Sequence, residues 1–230
     1  MFSLTPIEAE ALRLSLLVSV TAVAASLPFG IAVAWLLARV TFPGKTLLDG
    51  IVHLPLVLPP VAVGYLLLVS MGRHGFLGAW LYKFLGLSFA FNWKGAALAS
   101  AVISFPLLVR AVRLSIEQVD RGVEAAAATL GAGPWGVFFT VTLPLALPGI
   151  AAGIILAFAR SLSEFGATIT FVASIPGETR TLPVALYTVT QSAGGDADAL
   201  RLCVISVALA LVTLIAADRL ANRLERRMKG

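Results

Sequence analysis

Charge is scarce in this sequence. Only 13% of its 230 residues are Asp, Glu, Lys or Arg, against roughly 25% in a soluble domain, which excludes an ordinary water-soluble fold. Cysteine is scarcer still. Cys203 stands alone, so an intrachain disulfide, a CxxC redox pair and a four-cysteine zinc site are all excluded. The two histidines, His53 and His74, have no matched acid or second ligand in the pattern, so the sequence offers neither a metal set nor a general-base cluster for a membrane-embedded enzyme. No GxxxxGK[ST] phosphate loop is present, so ATP is not bound by that route and no cofactor is expected. A basic leader is missing as well: Glu8 and Glu10 precede the first base, Arg13, which argues against a cleavable signal peptide.

What is present is apolar. With 59% hydrophobic residues and a mean hydropathy of +0.95, the chain is suited to lipid. A helical span needs about 20 mainly apolar residues. The uncharged runs predict an all-α integral membrane protein, one transmembrane domain over residues 1–230, with five spans at about 13–38, 50–71, 93–113, 139–162 and 200–219. Pro55, Pro59 and Pro60 predict a kink or late start in the second. The third is short, and spans only by extending at each side.

The net charge of +5 does not indicate nucleic acid, because the bases are scattered between apolar runs and form no continuous face. They read as anchors at the membrane surface, and cytoplasmic segments collect them. An outer N-terminus places Arg39 and Lys45, then Arg110, Arg113 and Arg121, then Arg219, Arg223, Arg226, Arg227 and Lys229 on the inner side. That arrangement puts the C-terminus in the cytoplasm.

Between the third and fourth spans lies RAVRLSIEQVDRGVEAAAATLGAGPWGVFFT, too polar to insert and too helical for a linker. Asp120 is a natural N-cap, Glu124 suits the positive end of the helix dipole, and residues 125–128 are all alanine. Gly131 can close the helix in a left-handed conformation, and Gly133-Pro134 prevents its continuation. The pattern predicts a short helix over about 120–131. A helix that merely joins two spans through solvent would carry charge on its outer face. Here small side chains replace that charge, which suits insertion into a groove on a partner.

This segment resembles the cytoplasmic motif of type I ABC importer permeases: EAA, three residues, Gly, nine residues, Ile, any residue, Leu-Pro. Gly131 is followed by nine residues and then Val141-Thr142-Leu143-Pro144, while the EAA positions hold Ala125, Ala126 and Ala127. The motif's acid is therefore displaced by one residue, to Glu124. The displacement keeps the docking surface and leaves open the specific ion pair expected of the family Glu. The segments FPGKTLLDGIVHLPLVLPPVAVGYLLLVSMG and ARSLSEFGATITFVASIPGETRTLPVALYT extend the resemblance through nearly the whole chain, to the molybdate permease subunits of bacterial importers.

The resemblance implies a homodimeric pore in the bacterial inner membrane, with two copies of a separate ABC ATPase and a periplasmic molybdate-binding protein as partners. It also implies ATPase docking through Asp120, Glu124, Ala125, Ala126, Ala127, Gly131 and Trp135. Tungstate is nearly isosteric with molybdate, and sulfate permeases share the fold, so both stay open as permeants. An ion-coupled secondary transporter fits less well, since such proteins are commonly built from inverted repeats and none is detectable.

Lys, Arg, Asp and Glu are missing from the span centres, where each costs roughly 2.5–3.5 kcal/mol. An anion is therefore expected to follow a hydrated, hydroxyl-lined route, with Ser104, Ser161, Ser163, Thr168 and Thr170 as candidates. The same side chains can bond back to their own helices instead. Glu164 stands in an apolar setting four residues after Arg160, a spacing that predicts a structural or gating ion pair. Residues 165–190 are cut by Gly166, Pro176, Gly177 and Pro183, and irregular backbone there requires cover from protein or a wet cavity. His53 is expected to be a polar group at a helix end.

Overall fold

Caps and prolines, more than amphipathic pattern, set the limits of the helices in this apolar chain. A computed structural model describes residues 4–229, with side chains as far as Ala216 and at Arg219. The tail bases Arg223, Arg226, Arg227 and Lys229, on which the orientation reading partly rests, have side chains outside the described set.

Helix α1 (Pro6–Arg39) opens on a capping box: the Thr5 hydroxyl accepts from the Glu8 amide at 3.3 Å, and the Glu8 carboxylate accepts from the Thr5 amide at 2.7 Å. α2 (Lys45–Val57) and α3 (Pro60–Met71) form a pair bent by 114°. The consecutive Pro59 and Pro60 lack amide donors and force extended backbone before them, so the second apolar run breaks there. α4 (Phe76–Leu85) follows, then α5 (Trp93–Gln118), whose start is capped by Asn92 accepting from the Gly95 amide at 3.1 Å. An Arg113–Glu117 pair at 2.8 Å, one turn apart, carries α5 helically through its charged end.

α6 (Arg121–Thr129) and the single turn α7 (Pro134–Val137) lead through a π-turn at Phe138–Thr142 into α8 (Leu143–Leu162). α9 (Gly166–Val172), α10 (Leu182–Thr190) and α11 (Asp196–Lys229) complete the chain. Among the described residues, four stretches are long and apolar enough to cross a membrane: Pro6–Arg39, Trp93–Gln118, Pro134–Leu162 and Asp196–Ala216. The bent α2–α3 pair makes a fifth when taken as one span.

α5 is the central span: 61% of its apolar window is buried, against 6% for α11. Lipid supplies no hydrophobic drive between helices, so close packing through small residues must hold them. A Cβ on Gly149 of α8 would lie 2.1 Å from that of Ser115 on α5, a contact only glycine permits. One half of α5 packs with Leu37, Ala146 and Ile150, placing α1 and α8 around it. Its other half packs with Val63, Ala167 and Phe171, bringing α3 and α9 together at the opposite end of the bundle.

α11 lies outside this core. Its first turns are tied to α1 by Arg201, which donates to both Glu8 oxygens at 2.8 and 3.0 Å. Replacing Glu8 with Gln is expected to speed hydrogen exchange at residues 196–205 while leaving membrane insertion intact. Unaltered exchange there would show that the pair does not anchor α11.

Candidate functional site

The α6 end of the bundle carries all seven residues that the sequence assigns to docking. Asp120 caps the helix, its Oδ1 accepting from the Gly122 amide at 2.7 Å. The helix then stands off the bundle with no residue buried. At its far end Gly131 adopts φ +94°, and its amide donates to the Ala128 carbonyl at 3.0 Å while that of Ala132 reaches Ala127 at 3.2 Å. Trp135, 74% exposed, stacks on Phe139 with ring centroids 6.2 Å apart. Phe138 meets Trp35 edge-on at 6.0 Å and so seats this turn on α1.

Every residue of 121–130 except Glu124 and Ala127 is exposed, Leu130 to 90%, and Ala125, Ala126, Leu130 and Trp135 are among the apolar members of this outward surface. An exposed surface of mostly thin side chains, displayed at the end of the bundle, is suited to a protein groove.

Glu124 faces the other way. Its Oε1 accepts from Arg39 Nη2 at 3.1 Å and from the Thr142 hydroxyl at 2.6 Å, and the same Arg39 nitrogen donates to the Val119 carbonyl at 3.0 Å. The Arg39 and Glu124 side chains are only 11% and 17% exposed. The sequence leaves the partner of the displaced acid open, and the structure pairs it within the chain, with Arg39. The partner stands 85 residues away, a distance at which no local pattern signals it.

A second polar cluster joins α2 to α5. Asp49 receives Arg113 at 3.1 Å, and His53 Nδ1 lies 2.8 Å from the Asp49 carbonyl and 3.2 Å from its carboxylate. His53 thus sits inside α2 rather than as a helix-end group. The acid one turn earlier, readable as an i, i+4 pair, is its neighbour.

At the opposite end, Arg160 and Glu164 pair at 2.8 Å, with the Glu164 side chain 1% exposed. Glu164 Oε1 also accepts from the Ala167 amide at 2.8 Å and holds the first turn of α9 across the break after α8. α9 lies directly on α3, since a Cβ on Gly64 would come within 2.6 Å of the Ala167 carbonyl oxygen.

The hydroxyl candidates divide by burial. Ser104, Ser161 and Thr168 are buried within the single chain, and Ser104 donates to its own helix at the Ser100 carbonyl, 2.7 Å away. Thr170 likewise bonds back to Gly166 at 2.8 Å, and Ser163 to Arg160 at 3.1 Å. Only Ser163 and Thr170 of the five keep accessible surface, so a single chain does not assemble the expected row of free hydroxyls. The apolar character on every side of these helices hides from the sequence which hydroxyls point inward.

A family model described as "Binding-protein-dependent transport system inner membrane component" matches residues 11–230. The "Molybdenum transport system permease protein ModB" of Escherichia coli (strain K12) is 64% identical over 227 residues, covering 99% of each chain. The protein of the same name from Haemophilus influenzae is 56% identical over 221 residues, 96% of each. A "Sulfate transport system permease protein CysT" of Escherichia coli is more distant, at 37% over 202 residues, 88% of this chain and 72% of that one. Among solved structures, a bacterial ABC transporter involved in the import of alginate superposes with a TM-score of 0.76 at 18% identity, over 96% of this chain and 80% of that one.

Proposed function

The chain belongs to the binding-protein-dependent transport system inner membrane component family, and from this premise we propose that it is the permease subunit of a molybdate ABC importer. It is a multi-pass protein of the inner membrane that passes the oxyanion through the bilayer and is not itself an enzyme. The observation that carries the substrate is the 64% identity to a molybdenum permease along the full chain, against 37% to a sulfate permease.

The partners are those the family implies, and what the chain lacks and displays agrees with them. It has no phosphate loop, so work must be delivered by a separate ABC ATPase, and the exposed α6 with Ala125, Ala126, Leu130 and Trp135 is the surface that receives it. Two permease copies pair to enclose the pathway, with one ATPase beneath each and a periplasmic molybdate-binding protein above. The α6 end is cytoplasmic, which agrees with the gathering of Arg39, Arg110, Arg113 and Arg121 there, and the N-terminus is periplasmic. The anion path runs between copies past Ser163 and Thr170, with the Arg160–Glu164 pair holding α9 in place. Closure of the ATPase dimer drives α6 and rotates the attached spans, a rigid-body switch.

Reconstitution of the permease with its ATPase and binding protein in liposomes tests this reading. Labelled molybdate is expected to accumulate only with ATP and all three proteins, in preference to sulfate, with tungstate as the closest competitor. Accumulation without ATP, or of sulfate alone, would overturn it.

A further inference from the structure

Granting that α6 receives the ATPase, we propose that Glu124 is a buckle that ties this helix to the ends of three spans, so that displacement of α6 reaches α1 as directly as it reaches α5 and α8. The carboxylate is engaged within the chain and is not a contact to the ATPase.

Connectivity alone would not link α6 to α1. The chain joins α6 to α5 through the Val119–Asp120 junction, and to α8 through Gly131, Gly133 and the π-turn. Two glycines, one at φ +94°, make that second connection compliant in bending. α1 ends at Arg39, far away in sequence. The hydrogen bonds supply what the chain does not. Arg39, in the last turn of α1, donates to Val119 at the end of α5 and to Glu124 on α6. Thr142, where the π-turn becomes α8, donates to the same Glu124 oxygen and so bypasses the glycines.

The Thr142 bond is short, at 2.6 Å, the Arg39 pair stands at 3.1 Å, and both charged groups are mostly shielded from water, which limits screening. The orientation also separates the two faces of α6: Glu124 and Ala127 turn toward the bundle, whereas Ala125, Ala126 and Leu130 turn out. A rigid-body switch needs stiff links between the driven element and the moving spans, and this carboxylate closes the only described polar link from α6 to α1.

The test uses the complete reconstituted transporter and measures molybdate taken up per ATP hydrolysed, together with ATPase retained on the permease. Arg39→Met and Glu124→Ala are each expected to lower uptake per ATP about fivefold while keeping bound ATPase and its hydrolysis, with the double variant no worse than either single one. Thr142→Val, which keeps shape and deletes one bond, is expected to lower it about twofold, and it serves where the others fold poorly. Unchanged uptake per ATP in Thr142→Val and Arg39→Met, or additive losses in the double variant, would overturn the buckle. Loss of the ATPase from Glu124→Ala would make the carboxylate a docking contact instead. Failure of the parent reading is separate: the ATPase would then stay bound and coupled when the outward face, not Glu124, is blocked.

Discussion

Ala126→Trp is expected to abolish ATP-driven molybdate uptake, by about a hundredfold or more, while the permease still inserts and folds. Ala126 is exposed on a helix that buries none of its residues, so the change costs the isolated chain less than about 0.5 kcal/mol. On the proposed docking, the loss arises in the complex, because the indole keeps α6 from seating on the ATPase. Gly131→Val should act at the same site by another route. Nothing lies within 4 Å of the added Cβ, so there is no clash, but φ +94° is hostile to a β-branched residue and frays the last turn of α6. Gly131→Asn, which tolerates the left-handed region, is expected to retain much more activity. ATPase copurification and uptake, measured side by side, separate these effects; normal uptake by Ala126→Trp would remove α6 from the docking role.

The second large effect concerns stability. Arg160→Met leaves the Glu164 carboxylate, 1% exposed, without its counter-charge, and should destabilise the fold by about 3–5 kcal/mol. Adding Glu164→Gln should recover most of that loss, because a neutral amide oxygen can still accept from the Ala167 amide and cap α9. Thermal unfolding in detergent reads both variants. A wild-type melting temperature for Arg160→Met alone would show that the ion pair does not stabilise the fold.

Features local in sequence were legible. Asp120, the alanines, Gly131 and Gly133-Pro134 mark a capped, smooth, abruptly ended helix because each acts on its own backbone or on that of its neighbours. Arg160 and Glu164 stand one helical turn apart, and so do Asp49 and His53, although the second pair went unrecognised. The break at Pro59-Pro60 is written in the chain, but its 114° angle is not, and neither is the packing of α3 on α9, where Gly64 meets Ala167. Arg39 could not be matched to Glu124 because 85 residues separate them, and several bases compete for the same acid on paper. The burial of the hydroxyls is hidden from the sequence for a related reason. In lipid, polar and apolar positions do not sort by face as they do in water, so the sequence does not show that Ser104 and Thr168 point into the bundle.

The most direct test of α6 as the receiving surface for the motor is a photocrosslinking side chain placed at position 126 in the assembled transporter. The predicted product is an adduct between the permease and the ATPase subunit. Adducts with lipid or with a second permease copy, and none with the ATPase, would contradict it.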